Sequence, residues 1–509
     1  MANYIFGVNI LENLTTGMYR ESQIIFREYI QNACDAIDKA ISQKILAAGE
    51  GRIEIWIDTE NRQISIEDNG AGISADEFET TLQSIAQSSK QIDTEKGFRG
   101  IGRLCGLAYC KELIFSSTAK GENIISVMKL DAQKLRGKFY GKKKYTAQEV
   151  LDEIITVEKI SAADITSKHW FKVELLDINS ENETLLDVQK VTEYLSFVAP
   201  VEYKEYFFFQ SKIYEHAAAL NFKIDEYKIY INGEQIVKNY KTTFKTSLGE
   251  DDIFDVAFED FYDDAGNLIA WLWIGLSKFK AVISQKKDTS SYKMRALRLR
   301  KGNIQIGEAD SLQNLFKEER GTYYFIGEVF AVDKKLIPNS QRDYFVENPE
   351  LKNFESALRE YFKELYKIYY QASNFNSAVR AVQTYETAKT EFQNKTFVTP
   401  KQKIDAEKEL DELEEKAEIA NKKIERFQNE NSTSAPDILS RVIFRIIDKA
   451  EKISTPPPET EDNKFKNLFP NLNRSERKLV TKILDVIREN VDVKTFKILQ
   501  EKIVEAVNQ

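Results

Sequence analysis

Histidine is nearly absent: His169 and His216 are the only two in 509 residues. Mechanisms that rest on a histidine base, and metal centres built from imidazoles, therefore have little to work with. The three cysteines, Cys34, Cys105 and Cys110, have neither the number nor the spacing of a disulfide framework or a zinc site. No segment reaches the about 18–20 consecutive apolar residues that cross a bilayer. The opening MANYIFGVNILENL has neither the basic start nor the apolar core of a secretory leader. The expectation is a cytoplasmic chain with no membrane contact, whose chemistry rests on carboxylates, amides, glycines and cations.

What is present reads as a multidomain protein. A chain of this length divides into roughly three to four domains, and 42% hydrophobic with 30% charged residues describes a globular, somewhat helix-rich one. The net charge of −9 supplies no general attraction to nucleic acid. Charge is locally uneven, however. Glu250 to Asp264 holds eight acids, while Lys278 to Lys301 holds nine bases against the single acid Asp288. Either the two stretches neutralise each other inside one domain, or the second is a basic binding face.

Along the chain, residues 22–44 predict a helix with Phe26, Ile30, Ala33 and Ile37 on its apolar side. Residues 52–58 and 63–68 alternate as a strand pair. Ser74 followed by Glu77 has the pattern of a capping box opening another helix, and the polar stretch 87–98 reads as a mobile loop. Further strands are expected at 111–117, 124–130 and 170–175. From about Tyr227 to Val332 strands recur, including KIYIN, LIAWLWIGL and YYFIGEVFAV, which suggests a second α/β domain. A helix follows over 351–370. Ala406, Leu410, Leu413, Ala417, Ala420, Ile424 and Phe427 then recur at coiled-coil spacing, with 377–392 as an antiparallel partner and a turn at Thr399–Pro400. NENSTSAP (429–436) and TPPPETE (455–461) are linker-like, and helical pattern closes the chain over 473–507.

Glu28, Asn32 and Asp35 stand at i, i+4 and i+7, within about 60° of arc on one helix. An acid, an amide and an acid on one stripe of a largely apolar helix need a purpose. In the strand ending at Asp68, the two-residue period puts that carboxylate on the face of Ile64 and Ile66, where an adenine amine is a natural donor. Gly70 and Gly72 follow, in a turn where backbone can approach a ligand closely. A later cluster, Gly97-Phe98-Arg99-Gly100-Ile101-Gly102, precedes an apolar helical run and offers backbone N–H groups to phosphates. GAGISA over 70–75 resembles a dinucleotide-binding turn, but polar loop follows it instead of a second parallel strand ending in an acid. GxxxxGK[ST] does not occur.

IFREYIQNACDAIDKA, then DNGAGIS, then GFRGIGRL resemble, in order and spacing, the nucleotide-binding boxes of the gyrase, heat-shock chaperone, histidine kinase and MutL ATPase superfamily. The first box and the preceding NILENLTTGMYRES are most similar to the ninety-kilodalton heat-shock chaperones. FIGEVFAVDKKLIPNSQRDYF (325–345) resembles those chaperones' middle-domain loop, which carries an arginine to the γ-phosphate. The resemblance implies ATP and Mg²⁺ as ligands and slow hydrolysis. Glu28 would orient or deprotonate water, Asn32 would ligate Mg²⁺, and Asp35 would support the site. Asp68 would read adenine. Gly70, Gly72, Ile73, Gly97, Gly100, Ile101 and Gly102 would surround the nucleotide, with Lys90 and Arg99 on the phosphates. Arg342 would clamp the γ-phosphate with Asn339 beside it. Gln87 stands where the chaperones usually have a lysine, and the region after Tyr370 does not resemble their dimerisation domain.

The expected fold is α+β. A Bergerat-type α/β sandwich occupies 1–185 and an α/β middle domain 186–370. A coiled-coil hairpin follows over 371–430, and a helical region with a Pro-rich linker over 431–509. Three functions fit: a chaperone-like ATPase acting on an unidentified protein partner, with a homodimer admitted; a MutL- or microrchidia-like nucleic-acid clamp or anti-phage defence component, which the acidic charge disfavours; or an ATP-state switch controlling a partner enzyme. No phosphoacceptor histidine lies in a helical hairpin before the nucleotide module, so a histidine kinase is disfavoured.

Overall fold

The computed structural model describes residues 6–15, 17, 21–84, 102–139, 144–287, 289–430, 437–454 and 493–508, with scattered positions between 469 and 491. Two mixed sheets, each packed on helices, are followed by long helices, giving an α+β chain.

The first unit is built on strands β1 (Arg52–Asp58), β2 (Gln63–Asp68), β3 (Glu112–Thr118), β4 (Ile124–Asp131), β5 (Ile155–Ser161), β6 (Trp170–Leu176), β7 (Lys228–Ile231) and β8 (Glu234–Gln235). Their order across the sheet is β5-β4-β3-β6-β2-β1-β7-β8. β1 and β2 pair antiparallel with Ile55 opposite Ile66 and Ile53 opposite Asp68. Ile53, Ile55, Ile57, Ile64 and Ile66 therefore share one buried face. Helices α1 (Asn9–Thr15) and α2 (Ile24–Ser42) lie in this unit, with α3 (Phe78–Gln83), α4 (Ala132–Phe139), α5 (Ala147–Ile154) and α6 (Val188–Val198).

Two expectations are corrected here. KIYIN, assigned to the second domain, forms β7 and pairs parallel with β1, Ile229 against Ile53 and Ile231 against Ile55. An apolar alternating strand suits either sheet, and only the fold decides which edge it joins. The helix expected at Ser74 begins at Phe78. Ser74 Oγ reaches Glu77 Oε2 at 3.2 Å instead of capping a helix, and Glu122 accepts from Ala75 N. A reciprocal capping box does exist at Thr146 and Glu149, at the start of α5.

The second unit holds the hairpin β9 (Thr243–Thr246) and β10 (Gly249–Asp252), and a sheet of β11 (Asp255–Tyr262), β12 (Leu268–Leu276), β13 (Ala296–Lys301), β14 (Ile304–Gln305) and β15 (Ile326–Ala331). The sheet order β11-β12-β15-β13-β14 puts LIAWLWIGL inside the sheet. Ala270, Leu272 and Ile274 face one apolar cluster, while Trp271 and Trp273 face an aromatic one with α7 (Gln210–Ala219). Both faces are covered, which is why this strand reads as a continuous apolar run rather than an alternating one. The short α8 (Ser290–Met294) precedes β13.

The chain crosses between the units three times. Val201 is in the first core and Tyr203 in the aromatic cluster; Ile224 belongs to the cluster and Ile229 to the first core; Ile236 and Tyr240 make the third passage. A fully buried carboxylate, Glu328, ties these passages together. It accepts from Arg300 Nε at 2.5 Å, Lys238 Nζ at 2.9 Å, Tyr240 OH at 3.1 Å and the Tyr203 hydroxyl. Arg300 also donates to Phe197 O at 2.6 Å, and Asn303 to Asp225 O at 2.7 Å. Each passage is thereby bonded to the second sheet.

The expected break near Tyr370 is absent: α9 (Pro349–Asn394) is one helix, capped by Asn348 and with Pro349 at its first position. It turns into α10 (Pro400–Glu430), and the pairs Phe375–Phe427 and Tyr385–Glu414 make the hairpin antiparallel. α11 (Ile438–Ser454) packs Val442, Ile443 and Ile446 into the cluster under α9, and α12 (Val493–Asn508) closes the described chain. The acidic stretch is neutralised from several sides. Lys278 meets Asp251 and Asp252 at 2.7 Å, Lys212 meets Asp255 at 2.7 Å, Arg445 meets Asp252 at 3.1 Å, and Arg441 pairs with Asp255.

Burial by itself would raise the Glu328 carboxyl, but Arg300 and Lys238 overcome it and hold it at about 2. A depressed folded-state value contributes stability above the ordinary carboxylate range, near ~4.3, which is lost as pH falls towards about 2. Glu328→Ala leaves two cations unpaired in the interior and should cost about 3–5 kcal/mol in urea unfolding at neutral pH. The difference from the unsubstituted protein should narrow below pH ~4.3.

Candidate nucleotide site

α2 is buried on more than its apolar side. Arg27, Glu28, Gln31 and Asp35 are buried together with Phe26, Ile30, Ala33 and Ile37, and Asn32 is half-buried. One side of the helix rests on the sheet. The other faces a 3₁₀ turn over Gly102–Ala108 and, across the unit boundary, the loop after β15. The sequence-predicted stripe is thus approached by backbone and side chains from both units.

Asp68, at the end of β2, is buried and accepts from Gly70 N at 2.8 Å. A side chain at Gly70 would meet Ala36 C at 2.5 Å and Asp68 Oδ1 at 2.6 Å, and Ala71 N donates to Ala36 O at 3.0 Å. Gly72 has φ +67°, and a Cβ there would overlap Thr118 O. These glycines let the turn press onto α2 and β3, a closer cause for their presence than approach of a ligand. Ile73 follows half-buried, its N–H on Ser117 Oγ at 2.8 Å. His169 Nδ1 stands 2.7 Å from Gly70 O.

Gly102 bears directly on Glu28: a Cβ there would overlap Glu28 Oε2. The turn that follows is tied to α2 by Tyr29, whose hydroxyl accepts from Gly106 N at 3.1 Å and donates to Arg103 O at 3.0 Å. Arg103 in turn donates to Thr81 O and Ser84 O, both at 2.6 Å, holding the end of α3. Burial, then the Glu28 carboxylate, push the Cys105 thiol well up, so it stays protonated. Lys90, Gly97, Arg99, Gly100 and Ile101, with the loop at 87–98, lie outside the described residues.

Arg342 reaches the same place from the second unit. Its Nε stands 3.0 Å from Glu28 Oε1, with both side chains almost wholly buried, and Arg27 Nη2 donates to Gln341 O at 3.3 Å. The Arg342 backbone has φ +54°, a left-handed conformation that non-glycine residues adopt at a cost of about 1–3 kcal/mol. Asn339 turns its amide to Asp343 Oδ1 at 2.5 Å, within its own loop.

The structure thus brings Glu28, Asn32, Asp35, Asp68, Gly70, Gly72, Gly102 and Arg342 around α2, although three hundred residues separate the first from the last. Arg27, Tyr29, Arg103, Ser117 and His169 were not legible as site residues. Their partners lie tens to hundreds of residues away, and only the scarcity of histidine marked one of them.

Among the described residues no group of three His, Cys, Asp or Glu side chains could hold a metal ion. Magnesium takes few protein ligands and keeps water and phosphate oxygens. The donor set fits that habit: the Asn32 amide lies on the stripe of Glu28, and the buried Gln31 Oε1 beside it has no hydrogen-bond partner, whereas Glu28 Oε1 is paired with Arg342.

The family of histidine kinase-, DNA gyrase B-, and HSP90-like ATPases has a model that matches residues 20–162. Among curated relatives, the chaperone protein HtpG of Nitrobacter hamburgensis is 37% identical over 93 residues, 17% of this chain and 15% of that protein. HtpG of Pectobacterium atrosepticum is 40% identical over 85 residues, 16% and 14% of the two chains. HtpG of Shouchella clausii is 32% identical over 105 residues, 18% and 17%. Residues 20–162 thus resemble the ATPase module of this superfamily and, within it, the HSP90-like chaperones. The aligned stretch spans only about 15% of the relatives' length.

Because the atom that a Gly102 side chain would strike is the end of the Glu28 side chain, Gly102→Ala should displace the carboxylate and leave the fold standing. A melting temperature within a few degrees of the unsubstituted protein, with phosphate release down by about tenfold or more, is the expected pair of results.

Proposed function

We propose that this chain binds ATP with Mg²⁺ and hydrolyses it slowly, and that its ATP state governs work on a protein partner, in the manner of a chaperone. The observation that carries the reading is the Glu28–Arg342 contact at 3.0 Å, which joins the helix of the ATPase module to a loop of the second unit. In the proposal, Asp68 recognises adenine and the segments 70–73 and 97–102 enclose the nucleotide. Lys90 and Arg99 belong to it on the sequence motif alone.

Asn32 would hold Mg²⁺, which when bound neutralises phosphate charge. Glu28 would accept a proton from water or orient it. Arg342 balances the buried Glu28 carboxylate in the structure described; with ATP present, the more highly charged γ-phosphate would compete for the guanidinium. Exchange of Arg342 from carboxylate to phosphate would free Glu28 for water and couple nucleotide state to the second unit. Such a step needs no gross approach of the two units, because the loop already stands at α2. Asp35 and Asn339 are assigned support of helix and loop.

The nucleic-acid reading loses part of its support. Of the nine bases between Lys278 and Lys301, Lys278, Arg298 and Arg300 are buried in ion pairs and hydrogen bonds within the second unit, and Lys286 and Lys287 are exposed. The relatives that this chain resembles are chaperone proteins, which favours a protein partner instead.

Glu28→Ala should lower turnover by about 10²–10⁴-fold while ATP affinity, measured calorimetrically, stays within about threefold; loss of binding would remove Glu28 as the base. Arg342→Ala should slow phosphate release by about 10²-fold with ATP affinity retained, and an unchanged rate would take Arg342 out of the site. Protein captured from lysate on the ATP-loaded Glu28→Ala chain, and released without nucleotide, would identify the partner.

A further inference from the structure

The strained Arg342 loop is held from below by a residue that nothing so far has involved in function. After β14 the chain makes a tight turn at Gly307, whose N–H donates to Arg342 O at 2.8 Å. Gly307 has φ +64°, and a Cβ on it would overlap both Asp343 O and Ser311 Oγ. Ser311 could rotate away. Asp343 O is backbone, in the residue next to Arg342, so a side chain at 307 has to push the loop itself.

The turn has its own brace. Gln305, buried in β14, donates from Nε2 to Gly307 O at 2.8 Å and accepts from Arg298 Nη1 at 2.5 Å. The other side of the loop is the Arg27 contact to Gln341 O. The peptide carbonyls on either side of the Arg342 Cα are therefore gripped from opposite units, Gln341 O by α2 and Arg342 O by Gly307. A left-handed arginine persists only where its surroundings over-determine it, and these two bonds supply that.

We propose that Gly307 is a positioning residue for the reaction assigned above to Glu28 and Arg342: its bare N–H fixes the Arg342 peptide in the left-handed conformation that aims the guanidinium at Glu28. The inference rests on that reading of the site and adds the residue that sets its geometry. Gly307 itself touches neither nucleotide nor water.

Gly307→Ala should lower kcat by about tenfold or more with KM for ATP within about twofold. In an Arg342→Ala background the same substitution should cause no further loss, because the group it positions is gone. Losses that multiply in the double variant, or an unchanged kcat in the single one, overturn the proposal. If Gly307→Ala does not fold, Gln305→Met loosens the same turn without adding bulk, and the same non-additivity is required of it. Hydrogen exchange at the Gly307 amide in the ATP-free full chain reads the bond without any turnover, and rapid exchange there also overturns the proposal. An unsubstituted protein that does not hydrolyse ATP removes the reading of the site; normal turnover in Gly307→Ala removes this inference alone.

Discussion

A single carboxylate with no solvent exposure, Glu328, fixes how the two units meet. Its charge is tolerable in the interior only because Arg300, Lys238 and two tyrosine hydroxyls converge on it; Arg300 stands on β13, and Tyr203, Lys238 and Tyr240 come from the chain passages between the sheets. A buried charge set of this kind discriminates steeply between one arrangement and all others, since any sliding of the units leaves an ion unpaired. β15, which carries Glu328, runs directly into the loop that bears Arg342. The orientation enforced at one end of that strand determines what the other end presents to α2.

That geometry explains why α2 is polar where it would otherwise be apolar. Its sheet side is satisfied by ordinary apolar packing, whereas Arg27 and Glu28 look towards the second unit and find Gln341 O and Arg342. Gly102 and Gly70 bring backbone against the same helix where any side chain would collide. The site is thus less a pocket lined by one domain than a helix approached from three directions. The proposed chemistry uses that convergence: a carboxylate kept close to a cation that a phosphate can attract away.

Much of the first unit was legible because its signals are local. The alternation of Ile53, Ile55 and Ile57 with the outward-facing Arg52, Glu54, Trp56 and Asp58, and the i, i+4, i+7 spacing of Glu28, Asn32 and Asp35, depend only on strand and helix periods. Failures came where one local pattern serves several outcomes. Ser74-x-x-Glu77 and Thr146-x-x-Glu149 have the same capping signature, yet only the second caps a helix; at the first, the Ser74 hydroxyl goes to the Glu77 carboxylate and the Glu77 N–H to Ser74 O. KIYIN has the composition of any inner strand and joined the sheet across the unit boundary. The expected break at residue 370 rested on a change of apolar pattern alone: no Gly or Pro stands there, and the change of partner from sheet to α10 leaves the helix itself intact.

The sequence by itself determined the kind of module, the stripe on α2, the buried place of Asp68 and the loop arginine, because ordered motifs and short periods survive without tertiary context. Tertiary structure alone decided that Arg342 faces Glu28, that Arg27 and Gly307 hold its loop from opposite sides, and that the acidic stretch is paired within the fold by Lys278, Lys212, Arg441 and Arg445. The reason is physical: those outcomes depend on which charges are desolvated together and which backbones approach too closely for a side chain. Both are set by packing between segments hundreds of residues apart.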